Sequence, residues 1–232
     1  MNYFQQFAVK NNCYKAGRYI TVKGIMIHSV GTPQPSAKAI ADAWNSPKPF
    51  GREVCPHGVI DVENVYQTLP WNMCGWHAGG SANSTHIGVE MTEPATIKYS
   101  GGANFTDSNP AATKAFVLAA YQNAVTLFAD LCKQYNLNPL TDGVIISHAE
   151  GFKRGVASNH ADPTHLWSRF GLSMDGFRND ILTAMKKEIT EIPDIVEKLV
   201  SIGIITNSEL WLEKLQTDVN SYWLARKFSN YI

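Results

Sequence analysis

Two imidazoles and a carboxylate in this chain stand where chemistry is usually found. His28 comes near the end of the run GIMIHS (Gly24 to Ser29), and His148 follows VIIS, the apolar, mostly β-branched run that begins at Val144. Short apolar runs of this type read as strands buried on both faces. Their first polar side chains then lie at the edge of the sheet, where open α/β folds place their sites. The segment after His148, AEGFKRGVASNHADP, is punctuated by Gly151, Gly155 and Ser158 and reads as a loop rather than a helix. It delivers Asn159, His160 and Asp162 just before Pro163 and Trp167. Each residue also has an ordinary explanation: a strand-end His can be an edge hydrogen-bonding group, and an Asp before Pro can be a turn former or a helix N-cap. Two strand-end imidazoles together favour metal ligation, because rigid strands hold rings that are free to coordinate near neutral pH. Two His and one carboxylate with a fourth position open is a catalytic zinc arrangement. Non-haem iron uses a similar triad, so spacing does not choose the metal.

A second carboxylate is placed unusually. Glu90 lies in the strand-like run Ile87 to Met91 between apolar neighbours. A carboxylate in that company is paired, adjacent to a metal or a proton carrier with a raised pKa, unless it simply faces solvent. Just upstream, Trp76-His77-Ala78-Gly79-Gly80 reads as a glycine-flexed loop with an aromatic and a His at its tip.

The elements that must position these groups follow in order. A polar lead-in over residues 10–19 precedes a strand at about residues 20–29. Ser36 reads as the N-cap of a helix over Ala37 to Trp44, ended by Pro47 and Pro49. His57 to Val62 and Val65 to Leu69 read as a hairpin around Glu63-Asn64. Pro110 to Tyr135 is the longest helical pattern, with Phe116, Val117, Ala120, Val125, Leu127, Phe128 and Leu131 in helical spacing, and Met174 to Lys187 is another. This order predicts an α/β fold in which a mixed central β-sheet is flanked by helices, with a catalytic domain over residues 1–188. After Ile192-Pro193 the chain reads as three short helices, the last over Val219 to Tyr231, forming a small C-terminal helical module over residues 191–232. Trp211, Tyr222, Trp223, Phe228 and Tyr231 make it aromatic-rich. Forty residues are few for an independent core, so the module is expected to dock on the main domain, to self-associate or to hold a polymer.

The composition narrows the class. Twenty basic residues balance twenty acidic ones in 232, which argues against a nucleic-acid partner held by phosphate neutralisation. No uninterrupted apolar stretch suggests a secretory signal or a membrane span. Cys13, Cys55, Cys74 and Cys132 form no C-x-x-C pair and are expected to be free, buried thiols.

Six motifs in order, GIMIHS, HGVIDVENVYQTLP, GWHAG, IGVEM, VIISH and NHADP-x-x-LW, resemble the zinc-dependent N-acetylmuramoyl-L-alanine amidases related to peptidoglycan recognition proteins and to phage and autolysin amidases. The resemblance covers about Gly24 to Lys187. It implies Zn2+ held by His28, His148 and Asp162, with Glu90 as the catalytic carboxylate. It also implies His160 facing the oxyanion where many members carry Lys, or alternatively His160 as third ligand with Asp162 behind it. Trp76, His77 and the basic pair Lys153-Arg154 are candidates for the groove that takes glycan and peptide. The implied substrate is bacterial peptidoglycan, cut between N-acetylmuramic acid and L-alanine. The alternatives are a non-catalytic peptidoglycan binder and an amidase of small muropeptides. The layout resembles an endolysin, expected to stay cytoplasmic until a separate lesion of the host membrane releases it.

Overall fold

The apolar runs form the middle of one mixed sheet in the computed structural model, which describes residues 1–217, 221 and 225, with the backbone alone at 187–191. In chain order the elements are β1 (Asn2–Gln5), α1 (Asn12–Ala16), β2 (Gly24–Ser29), α2 (Ala37–Trp44), β3 (Gly58–Ile60), β4 (Asn64–Gln67), β5 (His86–Met91), β6 (Ile97–Gly101), β7 (Asn104–Asp107), α3 (Pro110–Gln134), β8 (Ile145–Ser147), α4 (His148–Lys153), α5 (Thr164–Trp167), α6 (Met174–Ser201) and α7 (Ser208–Thr217). Six strands lie in the order β1-β4-β3-β5-β2-β8, and β6 with β7 makes a separate hairpin. β3 and β4 pair antiparallel, whereas β3, β5, β2 and β8 run parallel to one another. The C-terminal ends of β2, β5 and β8 therefore open on the same edge.

Alternation along these strands sorts the side chains. Ile25, Ile27, Ile87, Val89, Met91 and Ile145 join Phe128 of α3, Phe177 of α6 and Trp167 in the main core. Burying one such side chain is worth roughly 1.5–3 kcal/mol, so this face holds the sheet together. The residues between them, Met26, His28, Gly88, Glu90 and Ile146, point to the other face. There Met26 and Ile146 pack with Ala78 and Ala82, while α2 covers Val59 and Tyr66. α2 begins as expected, with the Ser36 hydroxyl accepting from the Ala39 N–H at 3.2 Å. The hairpin turn lacks Gly because Asp61 closes it: its Oδ1 accepts from the N–H groups of Glu63 and Asn64, and its Oδ2 from that of Ala37. By length and composition α3 would pass for a membrane-crossing helix, which the absence of an uninterrupted apolar stretch did not suggest. Its apolar side, including Val117, Tyr121, Ala124 and Phe128, is instead buried in the main core. All four cysteines are free and buried.

Several expectations are corrected. Only the start of the segment after Ser147 departs from the expected loop: residues 148–153 are helical because Ser147 and Glu150 form a reciprocal capping box at the start of α4, whereas residues 154–163 are non-helical, as expected. Gly151 does not break this helix; it lets the helix approach β2, where a Cβ would stand 2.7 Å from the Met26 methyl. β1, α1 and the β6–β7 hairpin were not anticipated, although Gly101-Gly102 between β6 and β7 is a turn signal. The largest correction is α6, which runs through Pro193 instead of stopping near Lys187. A Pro inside a helix costs about 3 kcal/mol. Packing on both sides offsets it: Phe177 and Ile181 sit in the main core, and Ile192, Ile195, Val196 and Leu199 in a second cluster with Ile205 and Leu215. Trp211 packs on that second cluster. Of the helix expected over residues 219–231, Ser221 and Ala225 are described, both helical, with Ala225 in the second cluster, while Tyr222, Trp223, Phe228 and Tyr231 lie outside the described residues.

Candidate metal centre and cleft

Three ligand-type atoms converge where β2, β5 and β8 end. His28 is the fifth residue of β2, and Glu90 occupies the partner position on β5. His148 is the first residue of α4, and Asp162 is carried in by the segment that follows that helix. The Nδ1 atoms of His28 and His148 lie 2.9 Å apart. The Asp162 carboxylate oxygens stand 3.4 Å from the first and 3.6 Å from the second. The Ser29 N–H donates to Asp162 Oδ2 at 3.2 Å, fixing the carboxylate.

The chemistry of this donor set fits a zinc ion. Metal bonds of about 2.0–2.2 Å in a tetrahedron put neighbouring ligand atoms roughly 3.4 Å apart, close to the two carboxylate separations. Charge points the same way. Burial pulls the His28 pKa down, but the hydrogen bond it donates to Asp162 and the charges of Glu90 and Asp162 overcome it and leave it raised. Burial and the neighbouring His28 push His148 down to about 4. Burial raises Asp162, and its contacts with His28, His148 and the Ser29 N–H overcome that and hold it low. One positive charge is thus stabilised between two imidazoles that face each other through the same nitrogen.

Glu90 is buried beside this group with Oε2 lacking any hydrogen-bond partner. Burial, reinforced by the charges of Asp162 and Glu93 and opposed by that of His28, pushes its carboxyl up to about 8. His160 does not join the ligand trio. Its Nδ1 lies 3.1 Å from His148 Nε2, the ring nitrogen that faces away from the other two ligands. Among the described residues the trio that gathers possible ligand atoms within 4.8 Å is His28, His148 and Asp162, and His160 is not part of it.

The centre sits in a cleft of about 840 Å³ that is also bordered by Trp44, Phe50, Arg52, Tyr99, Asn159 and His165. Of the four groove residues expected from sequence, His77 alone borders this space. Trp76 packs instead on the cluster of Cys55, Leu69 and Met73. Lys153 is exposed outside the cleft, and Arg154 is held by both carboxylate oxygens of Asp142. The cation at the cleft is Arg52. No sequence pattern marked it, nor Phe50, which is 72% exposed with a left-handed φ of 54°. Also missed was a half-buried network around the buried Glu93, which accepts from the Ser29 hydroxyl at 2.7 Å and from the Tyr99 hydroxyl at 2.9 Å, while Tyr99 meets His165 Nε2 at 2.7 Å. Glu93 follows Glu90 by three residues, and His165 lies inside the NHADP-x-x-LW motif, so both were visible as titratable residues without a partner to assign.

Residues 18–165 match the family described as N-acetylmuramoyl-L-alanine amidase (Amidase_2). Over 98 residues the chain is 33% identical to the N-acetylmuramoyl-L-alanine amidase XlyA of Bacillus subtilis (strain 168), covering 41% of this chain and 33% of that protein. The chain thus spans about a third of the length of this curated relative. Among solved structures, the catalytic domain of XlyA aligns with a TM-score of 0.55 at 24% identity, covering 78% of this chain and 99% of that one. The Staphylococcus aureus hydrolase AmiA in complex with its ligand aligns with a TM-score of 0.61 at 18% identity, covering 82% and 86%. At these identities the two structures share the fold with this chain. The family match takes in the ends of β2, β5 and β8 and each group of the converging trio, and it extends over more than half of the sequence: this chain belongs to the N-acetylmuramoyl-L-alanine amidase family.

Proposed function

We propose that the protein is a peptidoglycan hydrolase. It cuts the amide between the lactyl group of N-acetylmuramic acid and L-alanine of the stem peptide, with zinc held by His28, His148 and Asp162. The observation that carries this reading is Glu90, a buried carboxylate with one unpartnered oxygen, set across the strand register from a ligand imidazole. Zinc bound by the trio would polarise the scissile carbonyl and bring the pKa of a water toward 7. Glu90 takes a proton from the attacking water and returns it to the departing amine. The cationic centre favours its carboxylate form, against the burial that otherwise keeps it protonated. His160, at the rim behind His148, donates to the oxyanion. Phe50, Arg52 and Tyr99 line the space that receives glycan and peptide.

We assign the C-terminal region expected from the sequence over residues 191–232 to cell-wall attachment or self-association. In support, its apolar cluster is separate from the main core, and Ile204 and Leu210 are more than half exposed. Release of the protein to the wall through a separate membrane lesion completes the endolysin reading. Purified protein incubated with cell walls should free stem peptides with new L-alanine amino groups and leave glycan chains uncut, and a chelator should stop it. Release of reducing sugar ends instead, or no release with zinc supplied, would overturn this reading.

A further inference from the structure

A hydrogen atom has to be placed on each ligand imidazole, and two backbone carbonyls dictate where. His77 Nε2 lies 3.0 Å from the His86 carbonyl oxygen, which can only accept, so His77 carries its proton on Nε2. Its Nδ1 is then an acceptor, and it lies 2.9 Å from His28 Nε2. His28 must therefore donate from Nε2, which leaves its Nδ1 lone pair aimed at the metal position. The same logic reaches His148. The Ser158 hydroxyl donates to the Ala78 carbonyl at 3.2 Å and so accepts from His148 Nε2 at 3.1 Å, again leaving Nδ1 free.

We propose that the loop at residues 77–78 is the positioning element for both metal imidazoles, with His77 as the residue that holds the tautomer and ring angle of His28. The loop is built for this. The Asn83 side-chain oxygen accepts from the N–H groups of both His77 and Ala78, at 2.9 and 2.7 Å. Gly88, in the middle of β5, leaves the space the ring occupies: a Cβ there would stand 2.2 Å from His77 Cγ. With both ring nitrogens engaged, His77 borders the cleft without a group to offer a substrate. Partners that hold a ligating His through its other N–H are typically worth ten- to a hundredfold in metal affinity.

This inference rests on the metal-centre reading, so its test measures zinc affinity directly, by competition with a chromophoric chelator, on the full chain. His77→Phe keeps a ring of similar size but removes the acceptor, and should weaken zinc binding ten- to a hundredfold. His77→Asn restores an acceptor near the Nδ1 position and should recover most of that loss. Nitrogen-15 NMR of the zinc-loaded wild type should show His28 and His148 protonated on Nε2, a readout that stands even if the Phe variant does not fold. Wild-type zinc affinity in both variants, or His28 protonated on Nδ1, would overturn the inference. A wild type that binds no zinc would overturn the metal-centre reading beneath it.

Discussion

His28 and His57 are equally sealed from solvent, at 1% and 0% exposure, yet they belong to two different kinds of region. Under the cleft, His57 is closed: its Nε2 donates to the Met73 carbonyl at 2.7 Å, and its Nδ1 accepts from the Gly88 N–H at 2.9 Å. His86 is closed in the same manner, between the Thr85 hydroxyl and the Gly143 carbonyl. At the strand ends, His28 and His148 each have one nitrogen satisfied by protein and one turned toward another ligand atom. Burial therefore does not distinguish a structural imidazole from a chemical one; the accounting of its second nitrogen does. The electrostatics agree. Burial holds His57 down at about 4, a neutral ring at any ordinary pH, whereas the carboxylates around His28 outweigh the same burial.

Removal of an open imidazole has the largest expected effect. His148→Ala should lose zinc and activity together, by more than the roughly hundredfold that a supporting residue is worth; a variant holding one zinc per chain by elemental analysis would dissolve the distinction. Glu90→Gln should keep the metal, since Glu90 is not among the converging atoms, and lose on the order of 10²- to 10⁴-fold in turnover as general acid–base groups do. Near wild-type hydrolysis of walls by that variant would make Glu90 structural. His160→Ala should likewise keep zinc and lose roughly 10²- to 10³-fold in kcat, the usual effect of one oxyanion donor. Loss of zinc there would instead make it a ligand.

The smallest effect sharpens the closed side. His57 has a folded pKa of about 4 against 6.5 when unfolded. Between these values the unfolded chain binds more protons, so the contribution of His57 to stability is complete above 6.5 and declines as pH falls toward 4. The advantage of the wild type over His57→Gln in urea unfolding should therefore shrink over that window, by at most about 1.4 kcal/mol per pH unit. Parallel stability curves would show that His57 is not held neutral by burial. Other groups titrate in the same range, His77 in the same direction and Glu90 in the opposite one, but they are common to both proteins.

What local pattern could determine, the sequence determined. The apolar runs of β2 and β8, the Ser36 cap of α2, the β3–β4 hairpin and the long α3 are set by neighbours within a few residues. So is the choice of His28, His148 and Asp162 as the trio to watch, because each stands just where an apolar run or a turn signal stops. The tertiary structure alone decided what depends on distant partners. β1 carries no apolar run and exists because Asn2 to Gln5 pair with β4 some sixty residues away, which brings Tyr3 onto the main core. α6 survives Pro193 because two separate clusters hold its halves. Arg154 was drawn from the groove by Asp142, and Trp76 by a pocket of Cys55, Leu69 and Met73. His77 read as a groove residue because nothing near it in the chain reveals that His28, 49 positions earlier, will present a ring nitrogen to it. A hydrogen bond is satisfied by whichever atom the fold delivers within about 3 Å, and a motif names the group without naming its partner.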